Sequence, residues 1–169
     1  CDMCWVIKRK WKYNRIEKME QSIQDFYRLG WEVVNFTWGE PTIYKGFWEL
    51  LEISKELWLI TSVSTNGSTL GDSFFKNLLR IWKKTIDYID ISVDWLYEKQ
   101  DTRRRYEGLF DNIHKNIVRL LDLWIFIHIN VTIRNDNMSE MRDIFDFFKK
   151  VWIHSISFWL VANSPVNDV

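Results

Sequence analysis

The sequence predicts an α/β fold, namely a partial (βα)6 TIM-like barrel with a parallel sheet that lacks its first strand. Two observations lead to this prediction. Apolar residues alternate along the chain between helical spacing and strand spacing, and no proline- or glycine-rich linker separates two parts. Because strands that alternate with helices of this length form right-handed βαβ units, we expect residues 1–169 to fold as one domain.

Five helices and five strands make up this alternation. Asn14 is positioned as the N-cap of the first helix, with Glu17 as its partner in a variant of the capping box. Asn137 and Glu140 are positioned to cap the last helix. The strands are short runs rich in β-branched residues. The predicted helices span 14–29, 45–57, 72–81, 106–123 and 138–151, and the predicted strands span 33–37, 59–64, 86–93, 125–133 and 153–160.

One face of the predicted strands is polar. In the fourth strand His128, Asn130 and Thr132 alternate with aliphatic residues, and Asp90 and Ser92 do the same in the third. A parallel strand buried on both sides is apolar throughout, and an ordinary eight-stranded barrel fills its interior with Val, Ile and Leu. The pattern therefore predicts a polar interior that holds a ligand. The alternative is a set of buried polar groups that bond to one another.

Polar and small residues also gather where the strands end. Such clusters occupy residues 37–41, 64–67, 92–94 and 134–136. The carboxyl ends of parallel strands meet at one edge of a sheet, where α/β proteins place their binding sites. We therefore expect one site that several strands share.

The charges of the chain are balanced. Lys plus Arg and Asp plus Glu number 23 each, so the net charge favours neither a nucleic acid nor an anionic membrane as partner. No apolar run approaches the roughly 20 residues of a membrane-spanning helix. These features predict a soluble, cytoplasmic protein. Because the chain begins with Cys1 and not with methionine, we expect a domain truncated at its amino end, and we expect truncation at the carboxyl end as well.

Both cysteines lie in one CxxC pair, Cys1 and Cys4. Such a pair can be a redox dithiol, half of a zinc site or part of an iron-sulfur loop, and the spacing alone does not choose among them. A zinc-binding α/β domain would need two further ligands, and no other cysteine or histidine spacing obviously supplies them.

Four further segments form an ordered pattern with the cysteine pair. The pattern resembles the radical S-adenosylmethionine (SAM) superfamily, whose CxxxCxxC, GGEP, STNG, SxDG and RGxxGxF motifs follow one another along the chain. The pair matches the last two cysteines of the first motif, and the first cysteine would lie four residues upstream of Cys1. The matching segments are Trp38-Gly39-Glu40-Pro41, Ser64-Thr65-Asn66-Gly67, Ser92-Val93-Asp94-Trp95 and Arg104-Arg105-Tyr106-Glu107-Gly108-Leu109-Phe110.

The resemblance implies roles for the matching residues. Cys1 and Cys4 would be ligands of a 4Fe-4S cluster, and Arg104 would meet the carboxylate of SAM. The loop 38–41 would meet the amino group of SAM, where Glu40 adds a complementary charge. The residues that the resemblance places at the cofactor are Trp38, Gly39, Glu40, Pro41, Ser64, Thr65, Asn66, Ser92, Asp94, Arg104 and Asn130.

The resemblance also implies an activity. The cluster would cleave SAM reductively to methionine and a 5′-deoxyadenosyl radical, with an electron from a flavodoxin or ferredoxin. The radical would act on a substrate, a small molecule or a peptide, for which the sequence has no diagnostic pattern. The alternative is a non-catalytic barrel remnant that binds a nucleotide-like ligand or a protein partner. The incomplete cysteine motif and the bulk of Trp38 favour this alternative.

The chain has 11 tryptophans and only 6 glycines, which inverts normal usage. Helix-to-strand junctions commonly place glycine in a left-handed conformation, yet tryptophan follows four of the helices. Our hypothesis is that an opal codon, translated as glycine in the source organism, has been read as tryptophan. The alternative is an aromatic-rich core, to which Trp48 and Trp159 would belong. The tryptophans at glycine-like positions are Trp38, Trp58, Trp82, Trp95, Trp124 and Trp152.

Overall fold

The protein contains a sheet of five parallel strands, which lie in the same order in space as along the chain. The computed structural model describes residues 15–81 and 86–160, so that Cys1, Cys4, Asn14 and Trp82 lie outside the described residues. Sequential parallel strands joined by helices form the wall of an α/β barrel, and the predicted fold class is confirmed. The strands are β1 (Val33–Phe36), β2 (Ile60–Thr65), β3 (Tyr88–Ser92), β4 (Phe126–Ile133) and β5 (Ser155–Leu160).

Helices precede the first strand and connect the strands that follow, and all but one of those described are amphipathic. The last of them illustrates the pattern, because Ile144 and Phe148 lie four residues apart on one face and are both buried. The first begins at Ile16, with Arg15 in the N-cap position. Two short 3-10 turns, Pro41–Ile43 and Met138–Glu140, follow β1 and β4. The helices are α1 (Ile16–Arg28), α2 (Phe47–Glu56), α3 (Asp72–Arg80), α4 (Tyr97–Arg104), α5 (Leu109–Asp122) and α6 (Met141–Val151).

The two faces of the sheet differ in burial, because strand side chains alternate. Ile89 and Ile91 of β3 and Ile127 and Ile129 of β4 are fully buried in one core cluster with residues of the helices. The opposite face is partly open to solvent, and we call it the inner face. Its residues include Asn35, Ser64, Asp90, His128, Asn130 and Ser155.

The region after β3 contains a helix that the sequence pattern did not predict. Only one helix, over 106–123, was expected here, whereas α4 precedes α5. Helix α4 is polar and buries a single residue, Gln100, so it lacks the apolar stripe by which helices are recognised. The left-handed residues Arg105 (φ 56°) and Gly108 (φ 71°) separate the two helices. The carboxylate of Asp101 then accepts two backbone N–H groups at the start of α5.

The predicted cap of the last helix is wrong. The Nδ2 atom of Asn137 donates to the backbone carbonyl groups of Asp94 and Thr132, both at 2.9 Å. Its Oδ1 atom accepts the backbone N–H of Arg134. The side-chain amide of Asn137 thus joins the ends of two strands. Glu140 occupies the N-cap position of α6, but its side chain makes no capping hydrogen bond.

The predicted left-handed conformation is confirmed for four tryptophans and wrong for Trp95. That indole is buried with 2% exposure, and the left-handed residue of this segment is Tyr97 (φ 53°). The backbone N–H of Trp95 donates to the buried Gln100 side chain, which holds the segment in another conformation. The four left-handed tryptophans are Trp38 (φ 74°), Trp58 (φ 61°), Trp124 (φ 57°) and Trp152 (φ 61°).

Candidate functional site

The loops that follow β1 and β2 are joined by one carboxylate, that of Glu40. Its Oε1 atom accepts hydrogen bonds from the hydroxyls of Thr42 (2.6 Å) and Thr65 (2.8 Å). Its Oε2 atom accepts the backbone N–H of Asn66 (2.9 Å). Hydrogen bonds to an ionised acceptor are among the strongest in proteins. Both oxygens of Glu40 therefore face donors of the protein, and the carboxylate fixes the two loops against each other.

The loop after β2 holds its shape through its own side chains. Oγ1 of Thr65 accepts the N–H of Gly67 (3.0 Å), and Oδ1 of Asn66 accepts the N–H of Ser68 (2.8 Å). Gly67 has a φ of 80°, and a Cβ atom there would lie 2.5 Å from Cγ1 of Ile113. Glycine satisfies both the left-handed backbone and the lack of space. The predicted site residues Thr65 and Asn66 thus build the loop.

The loop after β1 turns through two successive left-handed residues, Trp38 and Gly39 (φ 67°). Pro41 then begins a 3-10 turn, which suits its fixed φ. The indole of Trp38 is 69% exposed, and no atom lies within 4 Å of a Cβ position at Gly39. The backbone of this loop is therefore open to approach, with the indole projecting from it.

Asp94 lies at the centre of a clamp between the ends of β3 and β4, with 1% exposure. Its Oδ1 atom accepts the backbone N–H of Thr132, and its Oδ2 atom is paired with Nη2 of Arg104, both at 2.7 Å. Its backbone carbonyl accepts Asn137, and its backbone N–H donates to Gln100. Because Asp94 is enclosed by these partners, it acts on any ligand at this edge through Arg104.

One hydrogen-bond donor of the Arg104 guanidinium has no partner among the described residues. Its Nη2 atom is bound to Asp94, whereas its buried Nε atom has no hydrogen-bond partner among residues 15–81 and 86–160. An unsatisfied buried donor costs about 1–3 kcal/mol, so the arrangement suits an anionic ligand. Of its neighbours, Arg103 pairs with Asp136 (2.6 Å), and Arg105 takes the left-handed conformation at the glycine position of the motif. Of the three arginines, Arg104 is the one that pairs with Asp94 at the strand ends.

Ser92 and Asn130 are partners across β3 and β4 on the inner face. Both are half-buried. The Oδ1 atom of Asn130 accepts Nε1 of Trp159 (3.1 Å) and lies 3.0 Å from Nε2 of His128. These two predicted site residues therefore lie side by side on neighbouring strands, which are about 4.8 Å apart. Ser92 lies two residues before Asp94 along the chain.

Sequence reasoning missed the amides that hold these loops. Gln100 accepts the backbone N–H groups of Asp94 and Trp95 and donates to the carbonyl of Ser92. It is fully buried, as is Asn137. Their partners are backbone groups, which every residue has, so no pattern of residue types marks them.

A cleft of about 330 Å³ opens between α4 and the segment after β4. Arg103 and Asp136 pair there, as do Lys99 and Glu140, each at 2.6 Å. Four of the five charged residues that line the cleft thus neutralise one another. The strand ends, where the Arg104 donor is unpaired, are the stronger candidate site.

The described part of the chain contains no group of three or more His, Cys, Asp or Glu residues that could hold a metal ion. The predicted cluster ligands Cys1 and Cys4 lie outside it. Within the same residues, no helix has both the length and the apolar character that crossing a membrane requires.

A family model matches most of the chain. The model describes the radical SAM superfamily and matches residues 1–148. The chain belongs to the radical SAM superfamily. The resemblance inferred from the ordered motifs is thereby confirmed.

Curated relatives of this radical SAM chain carry the names of enzymes. An Fe-coproporphyrin III synthase from Methanosarcina barkeri is 27% identical over 143 residues, which cover 85% of this chain and 35% of that protein. A probable GTP 3',8-cyclase from Pyrococcus abyssi is 29% identical over 136 residues, which cover 80% of this chain and 43% of that protein. The chain thus spans less than half the length of these relatives.

Solved radical SAM structures share the fold. Streptococcus suis SuiB bound to S-adenosylmethionine has a TM-score of 0.74 and 19% identity, over 94% of this chain and 37% of that one. The anSMEcpe structure with bound AdoMet has a TM-score of 0.77 and 16% identity, over 96% of this chain and 48% of that one. At these identities the likeness establishes the partial barrel fold.

Proposed function

We propose that this chain is the core of a radical SAM enzyme, which binds a 4Fe-4S cluster and SAM and acts on a substrate through a 5′-deoxyadenosyl radical. The main support is Arg104, whose Nε donor has no partner among the described residues and which Asp94 holds at the carboxyl edge of the sheet. Membership of the superfamily and the enzyme names of the relatives support the same proposal.

In this proposal Cys1 and Cys4 supply two of the three thiolate ligands of the cluster, and a cysteine upstream of Cys1 supplies the third. When bound, the cluster and SAM supply the reductive cleavage of a carbon–sulfur bond that yields methionine and the radical, with an electron from a flavodoxin or ferredoxin. The protein's own contribution is to bind and orient the cofactor.

The sheet edge would orient SAM through three groups of residues. Arg104 would donate to its carboxylate, since guanidinium–carboxylate pairs are charge-assisted. Backbone carbonyl groups of loop 38–41, which Glu40 holds in place, would accept its ammonium group. Ser92 and Asn130 would offer a hydroxyl and an amide to its nucleoside part. The substrate, a small molecule or a peptide, would lie beyond the cofactor on the inner face.

The test uses the protein expressed from its complete reading frame and reconstituted anaerobically with iron and sulfide. SAM binding is measured by calorimetry, and release of 5′-deoxyadenosine is measured after reduction with dithionite. We expect Arg104→Gln to weaken SAM binding at least tenfold, because a charged hydrogen bond contributes about 1.5–3 kcal/mol. Arg103→Gln, which removes the pair with Asp136 and the cation–π contact with the Trp95 ring but leaves the pair of Arg104 with Asp94 in place, is the matched control. Equal affinities for both variants would contradict the assignment of Arg104.

The cysteines are tested in the same preparation. We expect Cys1→Ala and Cys4→Ala each to abolish the redox-active cluster seen in the visible spectrum. A cluster that survives both substitutions would refute the ligand assignment.

The exposed indole of Trp38 favours the non-catalytic alternative, in which the protein binds a nucleotide-like ligand. Binding of such a ligand with no cluster and no 5′-deoxyadenosine would support that alternative.

A further inference from the structure

The inner face below the proposed cofactor site is built in two layers, because the strands are in register. A polar belt crosses four strands at one level, and an aromatic layer lies two residues earlier along β3 and β4. Two residues correspond to about 6.6 Å along a strand. The rings of the aromatic layer meet edge to face, with centroids 6.1 Å apart. The belt is Ser64, Asp90, His128 and Ser155, and the aromatic layer is Tyr88 and Phe126.

The ring nitrogens of His128, in the polar belt, are hydrogen-bonded to other residues of the protein. Its Nε2 atom faces Oδ1 of Asn130, which can only accept, so Nε2 carries the proton. Its Nδ1 atom is hydrogen-bonded to the hydroxyl of Ser155. Both ring nitrogens are thus engaged within the protein. His128 therefore has no free group for a ligand.

Asp90 differs from His128 because half of its carboxylate is free. Its Oδ2 atom accepts the hydroxyl of Ser64 at 3.2 Å, whereas its Oδ1 atom has no hydrogen-bond partner within residues 15–81 and 86–160. Among the inner-face strand residues of that part of the chain it is the sole carboxylate, and its side chain is half-buried. A partly buried anion of this kind favours a cationic partner.

We propose that Asp90 anchors the substrate, and that it does so by binding a protonated amine carried on an apolar stem. The inference rests on the proposed function, since it names the substrate class of the same site. The free Oδ1 atom would accept the ammonium group, and the stem would pack on Phe126 and Tyr88 in the layer below. Asp90 lies two residues before Ser92, so the amine is held next to the level at which SAM is proposed to bind.

The test measures binding of two amines to the reconstituted protein by saturation-transfer NMR and by calorimetry. The probes are n-hexylamine, as a free alkyl amine, and N-acetyl-lysine methylamide, as a lysine side chain in a peptide. Their neutral counterparts are 1-hexanol and N-acetyl-norleucine methylamide. We expect at least one amine to bind at least tenfold more tightly than its counterpart, and the stronger amine identifies the source as a small molecule or a peptide.

The variants locate the interaction. Asp90→Asn should reduce the preference for the amine to less than threefold, whereas Asp122→Asn, the same change on the exposed end of α5, should retain it. Amines that bind no better than their neutral counterparts in the unsubstituted protein would overturn the inference, whatever the variants do. An equal preference in the unsubstituted and Asp90→Asn proteins would also overturn it.

The two proposals can fail separately. Amine binding through Asp90 in a protein that releases no 5′-deoxyadenosine would refute the proposed function and leave Asp90 as an amine site. Release of 5′-deoxyadenosine in a protein without amine preference would refute the role of Asp90 alone.

Discussion

At the scale of single residues, four tryptophans adopt a backbone conformation that L side chains rarely take. Three of them, at positions 58, 124 and 152, stand where a helix ends before a strand, and their side chains are 85–87% exposed. A left-handed conformation costs about 1–2 kcal/mol for a residue with a Cβ atom. Because these indoles are 85–87% exposed, they bury little apolar surface that could offset this cost, and the structure supports the hypothesis that these positions are glycine in the translated protein.

Replacement of these tryptophans by glycine should stabilise the protein. We expect Trp58→Gly, Trp124→Gly and Trp152→Gly each to raise the free energy of unfolding by about 1 kcal/mol, because glycine removes the left-handed strain. Urea denaturation measures the change. Trp48→Gly is the control and should destabilise the protein, since that indole packs on Phe47 and Phe74.

The codons provide a second check on the same hypothesis. We expect the opal triplet at Trp38, Trp58, Trp95, Trp124 and Trp152, although the backbone of Trp95 is not left-handed. Ordinary tryptophan codons at the four left-handed positions would refute the hypothesis.

Trp38 links this question to the proposed cofactor site. In the reconstituted protein, Trp38→Gly should tighten SAM binding, because it removes an exposed indole beside the backbone that is proposed to meet the ammonium group. Glu40→Gln in that background should weaken it, because the charged bonds that hold the loop are lost. Calorimetry measures both changes. Equal affinity before and after Trp38→Gly would mean that this loop does not touch SAM.

At the scale of elements, the Asp94 clamp joins β3, β4 and α4. Its carboxylate is buried and bonded to both a backbone N–H and Arg104. Loss of one partner from a buried pair leaves an uncompensated charge, which is far more costly than loss of an exposed pair. The strand ends that form the site are therefore held by charge as well as by apolar packing.

Asp94→Asn should lower the free energy of unfolding by about 3 kcal/mol, because it leaves the Arg104 guanidinium without its counter-charge. Thermal or urea unfolding measures the loss. Asp136→Asn, at the half-exposed carboxylate that pairs with Arg103 and Arg134, is the matched control and should cost less than about 1 kcal/mol. Similar losses for the two variants would show that the clamp is no stronger than a surface pair.

The opposite edge of the sheet carries a second ionic contact, between Lys55 of α2 and Asp87 before β3. Burial alone would raise the pKa of Asp87, but hydrogen bonds from Lys55 and Thr61 and the charge of Lys55 outweigh it and lower the pKa. A carboxyl whose folded-state pKa is lowered stabilises the fold above its unfolded pKa. That stability is lost as the pH falls through the folded-state pKa.

This contact predicts a pH dependence. The difference in unfolding free energy between the unsubstituted protein and Asp87→Asn should be full above the ordinary pKa of 3.8 and should shrink below it. Urea titrations between about pH 2 and 6 measure it. Asp25→Asn, at an exposed pair with Arg28, is the control and should differ by less than about 1 kcal/mol throughout. A difference for Asp87→Asn that does not depend on pH would contradict the lowered pKa.

At the scale of the whole molecule, the sheet has its own apolar core on the side of the helices. The aliphatic faces of β3 and β4 are fully buried there. Apolar burial therefore stabilises the fold of the part of the chain that the structure describes. The site residues lie at the carboxyl edge and on the inner face of the sheet. Because these positions are outside the apolar core, their side chains can be polar.

Removal of iron should consequently separate folding from activity. After anaerobic treatment of the reconstituted protein with an iron chelator, we expect unchanged far-ultraviolet circular dichroism and no release of 5′-deoxyadenosine. Loss of the helical and strand signal on chelation would mean that the cluster holds the fold together. Retained activity would mean that the cluster is not needed for it.

The sequence by itself determined the fold class, the order of the strands and the superfamily. Apolar periodicity reports which face of an element is buried, and the motifs lie in fixed order at strand ends. Left-handed positions were also readable at Trp58, Trp124 and Trp152, because helix ends require them.

Only the tertiary structure decided what the site residues contact. The resemblance places Glu40 and Asp94 at the cofactor, yet the carboxylate of each is bonded to groups from other loops that are distant along the chain. Helix α4, the role of Gln100 and the actual partners of Asn137 were not predicted for the same reason. They are stabilised by partners that only folding brings close together. Many of these partners are backbone groups, which produce no periodic pattern of residue types.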